Sequence, residues 1–179
     1  MIKTAECMAL IIDFQERLMP AMKNCEQLAK RTEILIKGLK ALDIPMIITQ
    51  QYTKGLGMSE DFVFAAAETE EYIDKTEFSA MANEQVAKVV KQNGRKNVIV
   101  CGIEANICVL QTCLDLKEQG FTPYLVLDCT STRKQSDLEM TILRAQQEGI
   151  LVTSSESVLF ELLQKAGGDA FKTISKLIK

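Results

Sequence analysis

The stretch Val98-Ile-Val-Cys-Gly-Ile-Glu-Ala-Asn-Ile-Cys108-Val-Leu-Gln-Thr-Cys-Leu114 decides how this chain folds. Its first residues form a continuous apolar run, as in a strand buried on both faces. A glycine then breaks the run, and Ile107 to Gln119 reads as a helix stopped by Gly120. A thiol at Cys108 would lie in the first helical turn, over the positive end of the helix dipole, which favours thiolate. The chain contains no histidine. Any cysteine chemistry must therefore be activated without imidazole, and a histidine-ligated metal is excluded.

Working outward, the same alternation recurs. Met8–Ile12, Pro45–Thr49, Glu71–Lys75, Pro123–Asp128 and Ile150–Thr153 read as further strands. Between them, Cys25–Leu42, Val86–Val90 and Leu138–Glu148 read as helices, with Ser157–Leu163 as another, and Lys54-Gly-Leu-Gly57 as a Gly-rich loop. This pattern predicts an α/β, three-layer, Rossmann-like fold: a mostly parallel six-stranded sheet with helices on both faces. The 179 residues suit a single domain, 1–179. Ligands in such sheets bind beyond the carboxyl ends of the strands, where Asp13, Gln50, Gly102 and Asp128 fall.

Composition narrows the partners. Net charge is -3 and no Lys/Arg run resembles a nucleic-acid footprint, so nucleic acid is not expected. The basic tail Phe171–Lys179 reads as a docked amphipathic helix rather than a membrane anchor. The N-terminal apolar segment is too short to span a bilayer and carries no secretory pattern. Six scattered cysteines, several inside apolar runs, fit neither a disulfide framework nor a zinc site. A reduced, cytoplasmic protein is expected. Apolar helices in an α/β domain also suit a homo-oligomer, a dimer or higher.

Taken singly, Asp13 is an ordinary strand-end aspartate, Lys75 a surface lysine and Cys108 a core thiol. Together, in Leu10-Ile-Ile-Asp13-Phe-Gln15, Thr49-Gln-Gln-Tyr-Thr-Lys-Gly-Leu-Gly57, Lys75-Thr-Glu-Phe-Ser-Ala80, Cys101-Gly-Ile-Glu-Ala-Asn-Ile-Cys108 and Asp128-Cys-Thr-Ser-Thr-Arg133, the chain resembles the isochorismatase-like cysteine hydrolases. That superfamily includes nicotinamidases and N-carbamoylsarcosine amidohydrolase. The resemblance implies a catalytic Asp13–Lys75–Cys108 triad, with no cofactor and no metal. It implies attack of Cys108 on a small amide or carbamoyl carbonyl, then hydrolysis of a thioester. Asp13 would relay the proton in place of histidine. By analogy the oxyanion hole would be backbone at Ile103, Glu104 and Cys108, around a cis peptide at Ile103–Glu104. Phe14, Gln15, Gln51, Tyr52, Phe78 and Ile107 flank these positions as candidates for the substrate pocket, or for ordinary packing.

The pattern departs from its relatives in informative places. Nicotinamidases hold a metal through histidines that this chain lacks. True isochorismatases do not keep the nucleophilic cysteine. Asn106 stands where relatives often have histidine, and Gln50 where they often have glutamate. The alternative reading is a non-catalytic small-molecule-binding or scaffold domain that retains the fold.

Overall fold

A computed structural model describes residues 2–179. Six strands form one sheet: β1 (Cys7–Ile12), β2 (Met46–Gln51), β3 (Ile73–Lys75), β4 (Asn97–Ile103), β5 (Thr122–Ser131) and β6 (Leu151–Thr153). Their order is β3-β2-β1-β4-β5-β6, and every neighbouring pair is parallel. The sheet is thus wholly parallel, and its order reverses between β1 and β4, the position where such folds open a binding crevice.

Alternation along the central strand sets the layers. All six β1 residues are buried. Cys7, Ala9 and Ile11 join the core beneath α1 (Cys25–Ala41), α3 (Asp61–Ala67), α7 (Ser155–Leu163) and α8 (Gly168–Ile178). Met8, Leu10 and Ile12 join the opposite core beneath α4 (Glu84–Asn93), α5 (Leu110–Glu118) and α6 (Gln135–Gln147). A strand apolar on both faces is stable only inside such a sandwich. The tail is a docked helix, with Ile174 fully buried. Among the described residues, no helix is long and apolar enough to cross a membrane.

Three local features differ from the sequence reading. Lys54–Gly57 is not a simple loop: Thr53–Leu56 make one helical turn, α2. The short helix α3 has only seven residues and lies outside any long periodic segment. Finally, β5 runs past Asp128 to Ser131 through a large bulge. Val100 faces Leu125 and Gly102 faces Thr130, so Val126, Leu127, Asp128 and Cys129 stand opposite Cys101 alone. A bulge bends and re-aims its strand. Here it turns Asp128 to the start of α7, where its carboxylate accepts from Ser155 N (2.7 Å) and Ser155 Oγ (2.6 Å). That is a favourable place for an anion, and it commits Asp128 to structure.

Gly102 fixes the close approach of β4 to β1. Its φ is +148°, and a Cβ there would sit 2.3 Å from the Ile12 carbonyl oxygen. Gly102→Ala is therefore expected to cost about 3 kcal/mol or more in urea denaturation. Gly94, which ends α4 at φ +72° with open space around it, should cost only about 1 kcal/mol on the same change.

Candidate active site

The ends of β1, β2 and β3 and the turn after β4 bring four polar elements together. Asp13 follows β1 with φ 56° and is fully buried. Its Oδ1 accepts from Thr49 Oγ1 on β2 at 2.7 Å. Its Oδ2 accepts from Lys75 Nζ on β3 at 2.6 Å. The Lys75 side chain is equally buried and also donates to Gln51 Oε1 at 2.7 Å and to the Glu77 carbonyl at 3.2 Å. An ammonium out of water needs such acceptors for each of its protons.

Cys108 comes from the turn after β4. It sits in a π-helical turn, Ala105–Val109, that leads into α5. Such turns recur at functional sites. The residue is 6% exposed, and its thiol lies within electrostatic reach of Asp13, Lys75 and the Glu104 backbone. The Ile103–Glu104 peptide is cis. Asn106 does not cap the helix; its Oδ1 accepts from Thr132 Oγ1 at 2.8 Å.

The electrostatics reverse one expectation. Burial, and after it the negative charge of Asp13, push the Cys108 thiol up to about 12 against the pull of Lys75. At neutral pH the sulfur is a protonated thiol, not a resting thiolate. Desolvation outweighs both the ammonium and the helix start. Burial also raises the Asp13 carboxyl, opposed by Lys75, Thr49 and Cys108. The arrangement is a protonated thiol in the field of a buried carboxylate that Lys75 and Thr49 hold in place.

The flanking residues divide. Gln51 touches the cluster directly, bridging Lys75 and the Thr76 carbonyl (2.8 Å). Tyr52 and Phe78 expose 51% and 57% of their surface, and their backbone lies at Lys75: Tyr52 N–H donates to the Lys75 carbonyl, and the Phe78 carbonyl is 3.5 Å from Nζ. Ile107 is partly buried against the core around Cys108. Phe14 instead belongs to the opposite core, in edge contact with Phe62. Gln15 is buried and fastens two loops: its Nε2 donates to the Gln51 (3.0 Å) and Gly57 (2.7 Å) carbonyls, and its Oε1 accepts from Gln51 N (2.6 Å). A surface cleft of about 500 Å³ lies elsewhere, on the β2–β3 edge beside Ile47, Ile48, Tyr72 and Val89.

Sequence reasoning missed Thr49 as a partner of Asp13, and the Glu104–Arg133 ion pair (2.8 Å) beside Asn106 and Thr132. A polar residue ending the strand next to Asp13 was the available signal for Thr49. Among the described residues, no group of three His, Cys, Asp or Glu side chains is placed to hold a metal.

Known proteins share this architecture. The C. elegans structure titled MAR1 ribonuclease superimposes with TM-score 0.92 at 32% identity, covering 99% of this chain and 91% of that one. The Escherichia coli YcaC gene product, described as an octameric hydrolase of unknown specificity, gives TM-score 0.93 at 23% identity over 99% of this chain and 88% of its own. Pseudomonas aeruginosa YcaC, solved with hexane-2,5-diol and covalent acrylamide, gives 0.93 at 21%, over 99% and 89%. The last two show the fold alone. In sequence, an isochorismatase domain-containing protein 1 from Salmo salar is 35% identical over 168 residues, 93% of this chain but 59% of the relative's length. The isochorismatase domain model matches residues 7–157, and the chain belongs to the isochorismatase family.

Proposed function

We propose that this chain is a cysteine hydrolase that cleaves a small amide or carbamoyl-type C–N bond through a thioester on Cys108. One observation carries the reading: a fully buried carboxylate, held by Lys75 and Thr49, lies in the electrostatic surroundings of the Cys108 thiol and can take its proton. As Sγ attacks the carbonyl carbon, Asp13 takes the thiol proton. The carbonyl oxygen becomes an oxyanion, for which the Glu104 and Cys108 backbone N–H groups are the donors. Collapse expels the amine, which leaves with the proton held by Asp13. Water, deprotonated by Asp13, then attacks the thioester and restores the thiol. Lys75 keeps the carboxylate oriented and balances its charge throughout.

The small exposure of Cys108 favours a small substrate, with Gln51, Tyr52, Phe78 and Ile107 around the entrance. Covalent acrylamide in the P. aeruginosa relative is consistent with a nucleophile that small amides reach in this fold. The ribonuclease title of the C. elegans relative finds less support here, since a thiol against a carboxylate suits acyl transfer and the chain is net negative. Self-association belongs to the same reading. It is supported by the octameric E. coli relative and by exposed Met140, Leu143 and Leu151 on α6 and β6. Six free thiols favour a reducing compartment.

Screening small amides and ureido compounds for ammonia release identifies a substrate. With it, Cys108→Ala is expected to lower kcat by about ten-thousandfold or more while circular dichroism stays native; undiminished turnover would overturn the thioester route. The pH profile of kcat/KM follows from the directions above. Asp13 must be ionised to accept the proton and its carboxyl is raised, so activity should rise with pH along a limb above the ordinary carboxylate range. No descending limb from Cys108 is expected near neutrality, because the thiol stays protonated until about 12. Lys75→Met should destabilise the fold by about 3–5 kcal/mol in urea melts, since it strands the Asp13 charge out of water.

A further inference from the structure

A second polar array stands against the turn that carries Cys108. The β5 bulge carries Thr132 and Arg133 over the turn that follows β4. Arg133 Nε donates to Glu104 Oε2 at 2.8 Å. Thr132, 1% exposed, gives its single hydroxyl proton to Asn106 Oδ1 at 2.8 Å and lies 3.5 Å from Glu104 Oε2. The bulge is itself moored: Lys23 N–H donates to the Thr132 carbonyl (3.1 Å), and Ser131 Oγ donates to the Lys23 carbonyl (2.9 Å). Two residues of the Cys108 turn, Glu104 and Asn106, are therefore gripped by their side chains from β5.

The burial of the ion pair is lopsided. The Glu104 side chain is 12% exposed, while that of Arg133 is 60% exposed. An exposed surface pair contributes little to folding, and this one does not read as a fold stabiliser. Its consequence is local. The residue whose carboxylate Arg133 holds is the one whose carbonyl accepts from Ile107 N–H (3.1 Å) and Val109 N–H (3.3 Å), on either side of Cys108, and whose backbone lowers the charge cost at the sulfur. Without the guanidinium, that carboxylate would stand unpaired at the start of the turn that carries Cys108, and the turn would lose a side-chain anchor.

We propose that Arg133 is a positioning residue: acting through Glu104, it holds the turn that presents the Cys108 sulfur and neutralises the Glu104 carboxylate at the start of that turn. The inference rests on the hydrolase reading and adds to it a part of the machinery outside the Asp13–Lys75–Cys108 cluster. It also gives the Asp128–Arg133 segment a role that the sequence left unassigned.

The test uses the full chain and iodoacetamide, itself a small amide, with peptide mass spectrometry following each thiol. Partly exposed Cys25 serves as an internal gauge of opening. In the wild type, Cys108 should alkylate faster than Cys25 despite its protonated resting state, because on the proposed reading Asp13 takes the thiol proton as sulfur attacks. Arg133→Gln should slow Cys108 about fivefold at neutral pH and move its pH profile upward, with Cys25 unchanged, the scale of one charge-assisted hydrogen bond. Arg133→Lys should recover most of that rate. In a Glu104→Gln background, where no charge is left to cancel, Arg133→Gln should add no further loss. With an identified substrate, the same variants should lower kcat and leave KM nearly unchanged. If Arg133→Gln leaves the Cys108 profile as it was, while wild-type Cys108 still outpaces Cys25, the positioning role is overturned and the hydrolase reading stands. If wild-type Cys108 reacts no faster than Cys25, both are overturned.

Discussion

The pairing of Lys75 with Asp13 is the constraint around which the rest of the molecule is arranged. Both side chains are out of water, 2.6 Å apart. Desolvating two charges costs more than their attraction returns unless every remaining donor and acceptor is satisfied. Here the hydrogen-bond partners are Thr49, Gln51 and the Glu77 carbonyl, with the Cys108 thiol within electrostatic reach. These come from β2, the loop after β3 and the turn after β4, so the pair can form only when the strands lie in the order found. The sheet places the charges, and the charges tolerate no other register.

This pairing also shapes the chemistry. A cysteine paired with histidine commonly rests as a thiolate, because the imidazolium next to it carries the compensating charge. In this chain the positive charge is already spent on Asp13, and the sulfur meets the carboxylate instead. On the proposed route the thiol keeps its proton until substrate arrives, and the carboxylate takes it as the bond to carbon forms. A sulfur that is neutral at rest is also less exposed to oxidation, which proceeds through the thiolate.

The sequence reading succeeded where one physical factor dominates. The apolar runs at Met8–Ile12 and Val98–Cys101 could only be strands covered on both sides, and the central sheet followed from them. Asp13 and Lys75 were legible through their segments' resemblance to a family, not through spacing. The failures lie where tertiary context decides. The bulge in β5 has no pattern of its own, so the strand was ended at Asp128 instead of Ser131, and Thr132 and Arg133 beyond it were given no task. Phe14 follows Asp13 directly, yet the left-handed backbone at Asp13 ends the strand there, and Phe14 packs into the core on Phe62. The thiol's protonation state was misjudged because burial depth, which sets it, is invisible in one dimension.

The clasp made by Gln15 has a wider meaning. It ties the backbone at Gln51 and Gly57 to the end of the central strand, so the segment bearing Tyr52 is moored at both ends from below. Tyr52 and Phe78 then project from supports that do not depend on their side chains. In the proposed site, the rings at the entrance are thus an interchangeable collar on a fixed seat, and a change of ring would leave the buried cluster beneath undisturbed. A protein built this way can alter what it admits without rebuilding the machinery below.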